Sequence, residues 1–163
     1  MGIEIERKFL LKSLPDSLPS EIIKIDQFYF KNKDGVWERV RQCDSNVNGK
    51  KWVHTIKNRI SERVNEEIER EITKKEFDRF KRLCYSNKLS AKHIKKDRWV
   101  FPDGELKWEV DLFKDNYHLV IAEIETPTED WELNIPEFIN KKVLLEVTGM
   151  KQFSNRSLSI KLK

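Results

Sequence analysis

Apolar and polar residues alternate from the start of the chain. Ile3, Ile5, Arg7 and Phe9 fall on one side, and Glu4, Glu6 and Lys8 on the other. Period two predicts a β-strand with two unlike faces. Val36 to Gln42 and Lys51 to Asn58 also read as strands, joined through the turn signal Asn48-Gly49. Val64 to Ile72 reads as another. Thr73-Lys-Lys-Glu76 then forms a capping box, followed by Phe77, Phe80, Leu83 and Cys84 at helical spacing, so an amphipathic helix is predicted to about Asn87. Ile94 to Phe101 and Leu106 to Phe113 flank Pro102-Asp103-Gly104 as a tight hairpin. His118 to Thr126 reads as a strand stopped by Pro127, and Ile135 to Ile139 as a short helix. The tail from Ser157 to Lys163 alternates again. Residues 13 to 21, rich in Pro and Ser, read as a loop. With no internal repeat or linker, the order of strands, helix and strands predicts a single domain over residues 1–163, α+β and mainly antiparallel β.

Composition sharpens this picture. Charged residues make up 37% of the 163 and hydrophobic ones 38%, more charge and less apolar material than an ordinary globular domain carries. Five Trp and nine Phe argue against disorder, so the charge needs a structural home. The net charge of +4 is spread out, with no basic tail. An anionic small molecule is therefore a plausible partner, and a nucleic acid is not expected. Cys43 and Cys84 have no metal or redox spacing, the N-terminus is polar from residue 4, and no apolar run approaches membrane length. These features predict a cytoplasmic protein with no membrane partner.

The polar faces of the strands are ionic and sorted by sign. Glu4, Glu6 and Lys8 share one face; Arg39 and Arg41 share another with Trp37; Lys57 lies with Thr55. Glu67 and Glu69 follow on the next strand, then Lys96 with Arg98, Glu109 with Asp111, and Glu123 with Glu125, the last pair in line with Leu119 and Ile121. One such face is most simply a solvated exterior. Seven in succession fit a closed or nearly closed barrel whose ionic faces point inward and whose apolar faces, such as Trp108, Val110 and Leu112, meet outer helices. A charged interior is costly unless satisfied. Six bases (Lys8, Arg39, Arg41, Lys57, Lys96, Arg98) against seven acids (Glu4, Glu6, Glu67, Glu69, Asp111, Glu123, Glu125) leave it near balance. One or two divalent cations on the carboxylates leave an excess of positive charge for a polyanion. Hard cations prefer carboxylate oxygen and bind phosphate too, and Arg matches phosphate with a planar fork.

Glu4-x-Glu6-x-Lys8 resembles the ExExK signature of the CYTH superfamily, the triphosphate tunnel metalloenzymes. Arg39-Val-Arg41, Thr55-Ile-Lys57, Glu67-Ile-Glu69, Lys96-Asp-Arg98, Glu109-Val-Asp111 and Glu123-Ile-Glu125 resemble its later elements in order, and Glu146-Val-Thr-Gly-x-Lys151 with Ser154-Asn155 resembles its C-terminal segment. The likeness runs from residue 3 to about 158. It implies an eight-stranded antiparallel closed β-barrel, a tunnel with a charged interior and helices packed outside, that binds triphosphate with Mg²⁺ or Mn²⁺.

The bacterial inorganic tripolyphosphatases are the nearest branch by the ERKFL form of the first strand, which thiamine triphosphatases share. On this resemblance Glu4, Glu6, Asp111, Glu123 and Glu125 are the metal ligands. Lys8, Arg39, Arg41, Lys57 and Arg98 grip the triphosphate, with Lys151 at a tunnel mouth. Lys96, Glu67, Glu69 and Tyr29 are candidates for positioning or activating water. A homodimer is suggested by analogy. The expected activity is metal-dependent hydrolysis of inorganic tripolyphosphate. The alternatives are thiamine or nucleoside triphosphatase, class IV adenylyl cyclase, and a polyphosphate-binding module without catalysis. His54, His93 and His118 have no ligand spacing, and Trp37 reads as rim packing or as a platform for an organic ring.

Overall fold

A computed structural model describes residues 2–86, 91–115 and 118–161. Eight strands form the barrel: β1 (Gly2–Leu11), β2 (Glu21–Lys31), β3 (Trp37–Ser45), β4 (Gly49–Arg59), β5 (Val64–Ile72), β6 (Lys92–Asp103), β7 (Leu106–Phe113) and β8 (Leu119–Glu125). They neighbour one another in the order β6-β2-β3-β4-β5-β1-β8-β7, and β7 pairs back onto β6, so the sheet closes on itself. Every ladder is antiparallel. Two short strands sit on the outside of this ring: β9 (Val143–Glu146) on β1 and β10 (Ile160–Lys161) on β6. Among the described residues, no helix is long and apolar enough to cross a membrane.

The apolar faces point outward and are covered. Helix α1 (Lys74–Ser86) lays Phe77, Phe80 and Cys84 against Phe28, Phe30, Val40 and Ile72 of the strands beneath. Full burial of one such aromatic contributes about 1.5–3 kcal/mol. The capping box closes as expected: the Glu76 amide donates to Thr73 Oγ1 at 3.1 Å and the Thr73 amide to Glu76 Oε2 at 2.9 Å. His54 stacks on Phe80 at 5.3 Å and bonds Glu38 at 2.6 Å, which ties the helix to β3 and β4. His93 bonds Asp26 and stacks on Phe28 at 4.3 Å. On the far side, α2 (Glu137–Asn140) buries Ile139 against Phe9, Leu11, Trp108 and Val110.

The elements run close to their predicted places, with two differences among the described residues. Strand β2 had no counterpart in the ionic pattern, because its inward positions are Ile23, Ile25, Gln27 and Tyr29, all neutral. The tail alternates in sequence, yet Asn155–Leu158 forms a helical turn (α3) whose Ser154 hydroxyl accepts from the Ser157 amide at 3.1 Å; only Ile160–Lys161 is strand. The predicted end of α1 at Asn87, and the last two residues of the tail, Leu162 and Lys163, lie outside the described residues.

That tail closes part of one barrel end. Leu10, Ile121, Phe113 and Ile94 each stand two positions from an ionic inward residue, and Phe153 and Leu158 pack on this apolar cluster. The segment before it turns at Gly149, at φ +76°, where a Cβ would lie 2.8 Å from Glu62. Arg59 pins the turn by donating to the Gly149 carbonyl at 2.9 Å.

Candidate active site

The ladders determine what meets inside. Arg39 faces Thr55 across β3 and β4, and Thr55 faces Glu69 across β4 and β5. Lys57 faces Glu67; Lys8 faces Glu123, which faces Glu109; Arg98 faces Asp111. The inward ionic groups of these strands therefore converge on one cavity of ≈ 890 Å³. Glu4, Glu6, Lys8, Tyr29, Arg39, Arg41, Lys57, Glu67, Glu69, Arg98, Glu123, Glu125 and Lys151 line it. Lys96 and Asp111, 2% and 0% exposed, sit in the wall just behind Arg98.

Three neighbourhoods differ in how well their charges are paired. Around Asp111 the pairing is complete. Arg98 Nε donates to Asp111 Oδ1 at 2.8 Å, Arg98 Nη2 to Oδ2 at 2.9 Å and Lys96 Nζ to Oδ2 at 2.8 Å. Arg98 Nη1 also donates to Glu109 at 2.8 Å, and Lys96 Nζ to Asn155 Oδ1 at 2.8 Å. Burial opposes the charge on Asp111, but Arg98 and Lys96 outweigh it and hold the carboxyl well below the usual range. Burial pushes Lys96 down to about 8.

Around Arg39 and Arg41 the pairing is loose. Arg39 Nη2 is 3.5 Å from Glu67 and 3.8 Å from Glu69, and donates to Thr55 Oγ1 at 3.2 Å; Arg41 Nη2 is 3.6 Å from Glu69. Both Nε atoms are buried with no acceptor. Burial and the like charge of Arg39 press the Arg41 guanidinium below its ordinary range. A buried cation in this state is poised for an anion.

Around β1 and β8 there are more carboxylates than cations. Glu4 is held ionised by Lys57 at 2.7 Å, although burial works against it. Burial and Glu123 push Glu6 up to about 7. Burial and a hydrogen bond with Glu4 push Glu125 up to about 8. Glu123 lies 3.5 Å from Lys8, whose ammonium also donates to the Phe153 carbonyl at 3.4 Å. Burial and the nearby Glu4 likewise push Glu67 up to about 7. Among the described residues, no three acidic, His or Cys side chains converge tightly enough to form a ready metal cage. The donor set nonetheless fits a hard cation: it is all carboxylate oxygen, and burial together with neighbouring carboxyls pushes Glu6 and Glu125 up to about 7 and about 8.

The tunnel thus brings together every predicted metal ligand and phosphate grip except Asp111, whose two oxygens are taken by Arg98 and Lys96. Tyr29 and Lys96 have separate partners: the Tyr29 hydroxyl accepts from Gln27 at 2.9 Å, while Lys96 holds Asp111 and Asn155. Trp37 is at the cavity wall, its ring faced by Arg156, Lys31 and Lys92 at 5.0, 5.3 and 5.8 Å. Three neighbours of the site have no role in the sequence reading: Glu109 and Asn155, which appear there only within motifs, and Gln27, which does not appear at all. The i, i+2 spacing of Glu109 to Asp111 marks its inward face, and the partners of all three depend on which strands and turns meet.

Comparison with known proteins agrees with this architecture. The CYTH domain matches residues 2–158. An inorganic triphosphatase of Acetivibrio thermocellus is 32% identical over 160 residues, covering 97% of this chain and 94% of that protein. The chain belongs to the CYTH domain family. Its fold is that of a solved inorganic triphosphatase, at TM-score 0.60 and 24% identity over 97% of this chain and 98% of the other. A Hippeastrum protein, assigned as an adenylyl cyclase and described as having a dominant triphosphatase activity, aligns over 77% of this chain and 80% of its own, at TM-score 0.56 and 20% identity.

Proposed function

We propose that the protein is a divalent-metal-dependent triphosphatase that hydrolyses inorganic tripolyphosphate to pyrophosphate and phosphate. The observation that carries this reading is the Arg39–Arg41 pair. Two buried guanidinium groups with unpaired Nε atoms face carboxylates no closer than 3.5 Å, across a cavity whose other wall is rich in acids. Phosphate oxygens satisfy the arginines, and Lys57 and Lys8 flank the same path. Arg98 keeps its fork on Asp111 and has two further N–H groups to offer. Lys151 reaches the cavity from the C-terminal segment.

Glu4, Glu6, Glu123 and Glu125 would hold Mg²⁺ or Mn²⁺. When bound, such an ion screens phosphate charge and makes water a better nucleophile. The chain's own residues do the rest. Arg39, Arg41, Lys57 and Lys8 hold the phosphates in line and stabilise charge as it spreads over the phosphoryl oxygens. Glu67 can take or hold a proton near neutral pH, and Glu69, bonded to Glu67 and to Thr55 at 3.2 Å, orients it. Tyr29, which lines the cavity, positions water there, and Lys96, held behind Arg98 by Asp111 and Asn155, supports the wall rather than touching the water. Asp111 serves as the buried counter-ion that fixes Lys96 and Arg98. The Acetivibrio relative, named an inorganic triphosphatase, supports the substrate class. The cations on Trp37 also favour an inorganic chain over thiamine triphosphate, whose thiazolium would meet like charge there. Two free, buried cysteines suit the cytoplasm.

The test is phosphate release from tripolyphosphate, thiamine triphosphate and ATP side by side, with Mg²⁺, Mn²⁺ or EDTA and with cyclic AMP read in the ATP samples. Fast, EDTA-sensitive release from tripolyphosphate is expected. Tight binding of tripolyphosphate without any release would instead make the tunnel a binding module. Glu4→Gln and Glu6→Gln should abolish metal-dependent turnover with the fold intact; full activity in both overturns the metal assignment.

A further inference from the structure

Gln27 lies on the inward face of β2, fully buried, between Ile25 and Tyr29. Its Nε2 donates to the Tyr29 hydroxyl at 2.9 Å. Its Oε1 is buried and has no donor. Across the β2–β3 ladder Gln27 is the register partner of Arg41, and Tyr29 that of Arg39. Arg41 Nε is the mirror case, a buried donor without an acceptor. A lone acceptor and a lone donor thus sit on directly paired residues, on the same face, where Cβ atoms are about 5 Å apart. Leaving either unmade forfeits the hydrogen bond that burial has cost the group in water.

The empty tunnel explains why the bond is open. Arg41 leans the other way, across β4, toward Glu69 at 3.6 Å. A phosphate that takes the Nη groups releases that pull and lets the guanidinium turn back. The Tyr29 oxygen meanwhile accepts from Gln27 Nε2 at 2.9 Å. Its own O–H is then turned away from Gln27, and Tyr29 lines the cavity, so the hydroxyl is free to donate to an occupant of the tunnel.

Resting on the triphosphatase reading, we propose that Gln27 is the positioning residue of the phosphate grip: its Oε1 takes the Arg41 Nε–H when triphosphate is bound, and its Nε2 aims the Tyr29 hydroxyl at the substrate. The two arms separate in two variants. Gln27→Leu removes both. Gln27→Glu keeps an acceptor for Arg41 and removes the donor to Tyr29.

The experiment measures kcat and KM for tripolyphosphate in the wild type, Gln27→Leu, Gln27→Glu, Tyr29→Phe and the double variant Gln27→Glu/Tyr29→Phe. Gln27→Leu should raise KM about tenfold, the weight of one hydrogen bond to a charged group, and lower kcat to the level of Tyr29→Phe. Gln27→Glu should return KM to near wild type while kcat stays at the Tyr29→Phe level. Adding it to Tyr29→Phe should lower kcat no further. A purely structural role moves both constants together in both variants and overturns the proposal, as does a Gln27→Leu enzyme with wild-type constants. If Gln27→Leu does not fold, the kcat and KM split in Gln27→Glu decides alone. If the wild type binds but does not hydrolyse, the triphosphatase reading fails by itself. The Gln27 claim is then decided by tripolyphosphate dissociation constants: Gln27→Glu matching wild type sustains it, and Gln27→Glu as weak as Gln27→Leu overturns it.

Discussion

Arg98 and Arg41 are both inward-facing arginines of one barrel, each beside a second base, and they are in opposite states. Arg98 makes a two-bonded fork with Asp111 and a third bond to Glu109, all at 2.8–2.9 Å. Arg41 has a carboxylate no nearer than 3.6 Å and an Nε with no partner. The first is a cation whose desolvation has been offset within the fold; the second still needs an anion. The contrast separates architecture from function inside a tunnel where the residue types are the same.

The largest effect expected from this contrast is on stability. Asp111→Ala leaves Lys96 and Arg98 buried without their counter-ion and should cost about 3–5 kcal/mol, read by urea unfolding. A loss below about 1 kcal/mol would show that the cluster is not held by Asp111. Arg41→Ala should do the reverse. It relieves the repulsion from Arg39, so stability holds or rises, while kcat/KM for tripolyphosphate falls about 10- to 100-fold, the worth of a charge-assisted phosphate contact. An unfolded Arg41→Ala protein would erase the distinction.

A third effect comes from the acidic wall, where Glu6 is pushed up to about 7 and Glu125 to about 8. A carboxyl whose folded pKa is raised leaves the native state holding more protons than the unfolded one between pH 4.5 and 8. Stability of the metal-free protein contributed by these groups is therefore full below the unfolded value and declines as pH rises through that window. Glu4, Glu69 and Glu123 are lowered and act in the opposite sense, but only as pH falls below about 4.5. Mg²⁺ competes with the retained protons, so its upward shift of Tm should be larger at about pH 8 than at about pH 5.5. Equal shifts at both would mean that the ion binds elsewhere. The smallest effect lies outside the tunnel: Thr73→Ala, which removes the cap of α1, should lower stability by about 1 kcal/mol and leave tripolyphosphate hydrolysis unchanged.

The sequence carried most of the tunnel because an ionic pair at i, i+2 is hard to place anywhere else. Seven strands announce their inward faces in this way. The eighth does not: β2 offers Ile23, Ile25, Gln27 and Tyr29, which read as ordinary, so both the strand and its glutamine pass unnoticed. Function within the acid set was equally hidden. Asp111 and Glu123 are alike as letters and each has a base as register partner, and only the contact distances, 2.8–2.9 Å at Asp111 against 3.5 Å from Lys8 to Glu123, separate them. The C-terminal turn is a third case, since Ser157 to Lys163 alternates like a strand until Ser154 caps a helical turn that brings Asn155 to Lys96.

The most direct measurement is a crystal structure of Glu6→Gln with tripolyphosphate bound. The account predicts phosphate oxygens on Arg39, Arg41 and Lys57, with Arg41 withdrawn from Glu69 and Arg98 still forked on Asp111. Phosphate held by an Arg98 that has released Asp111, with Arg39 and Arg41 left on Glu67 and Glu69, would contradict it.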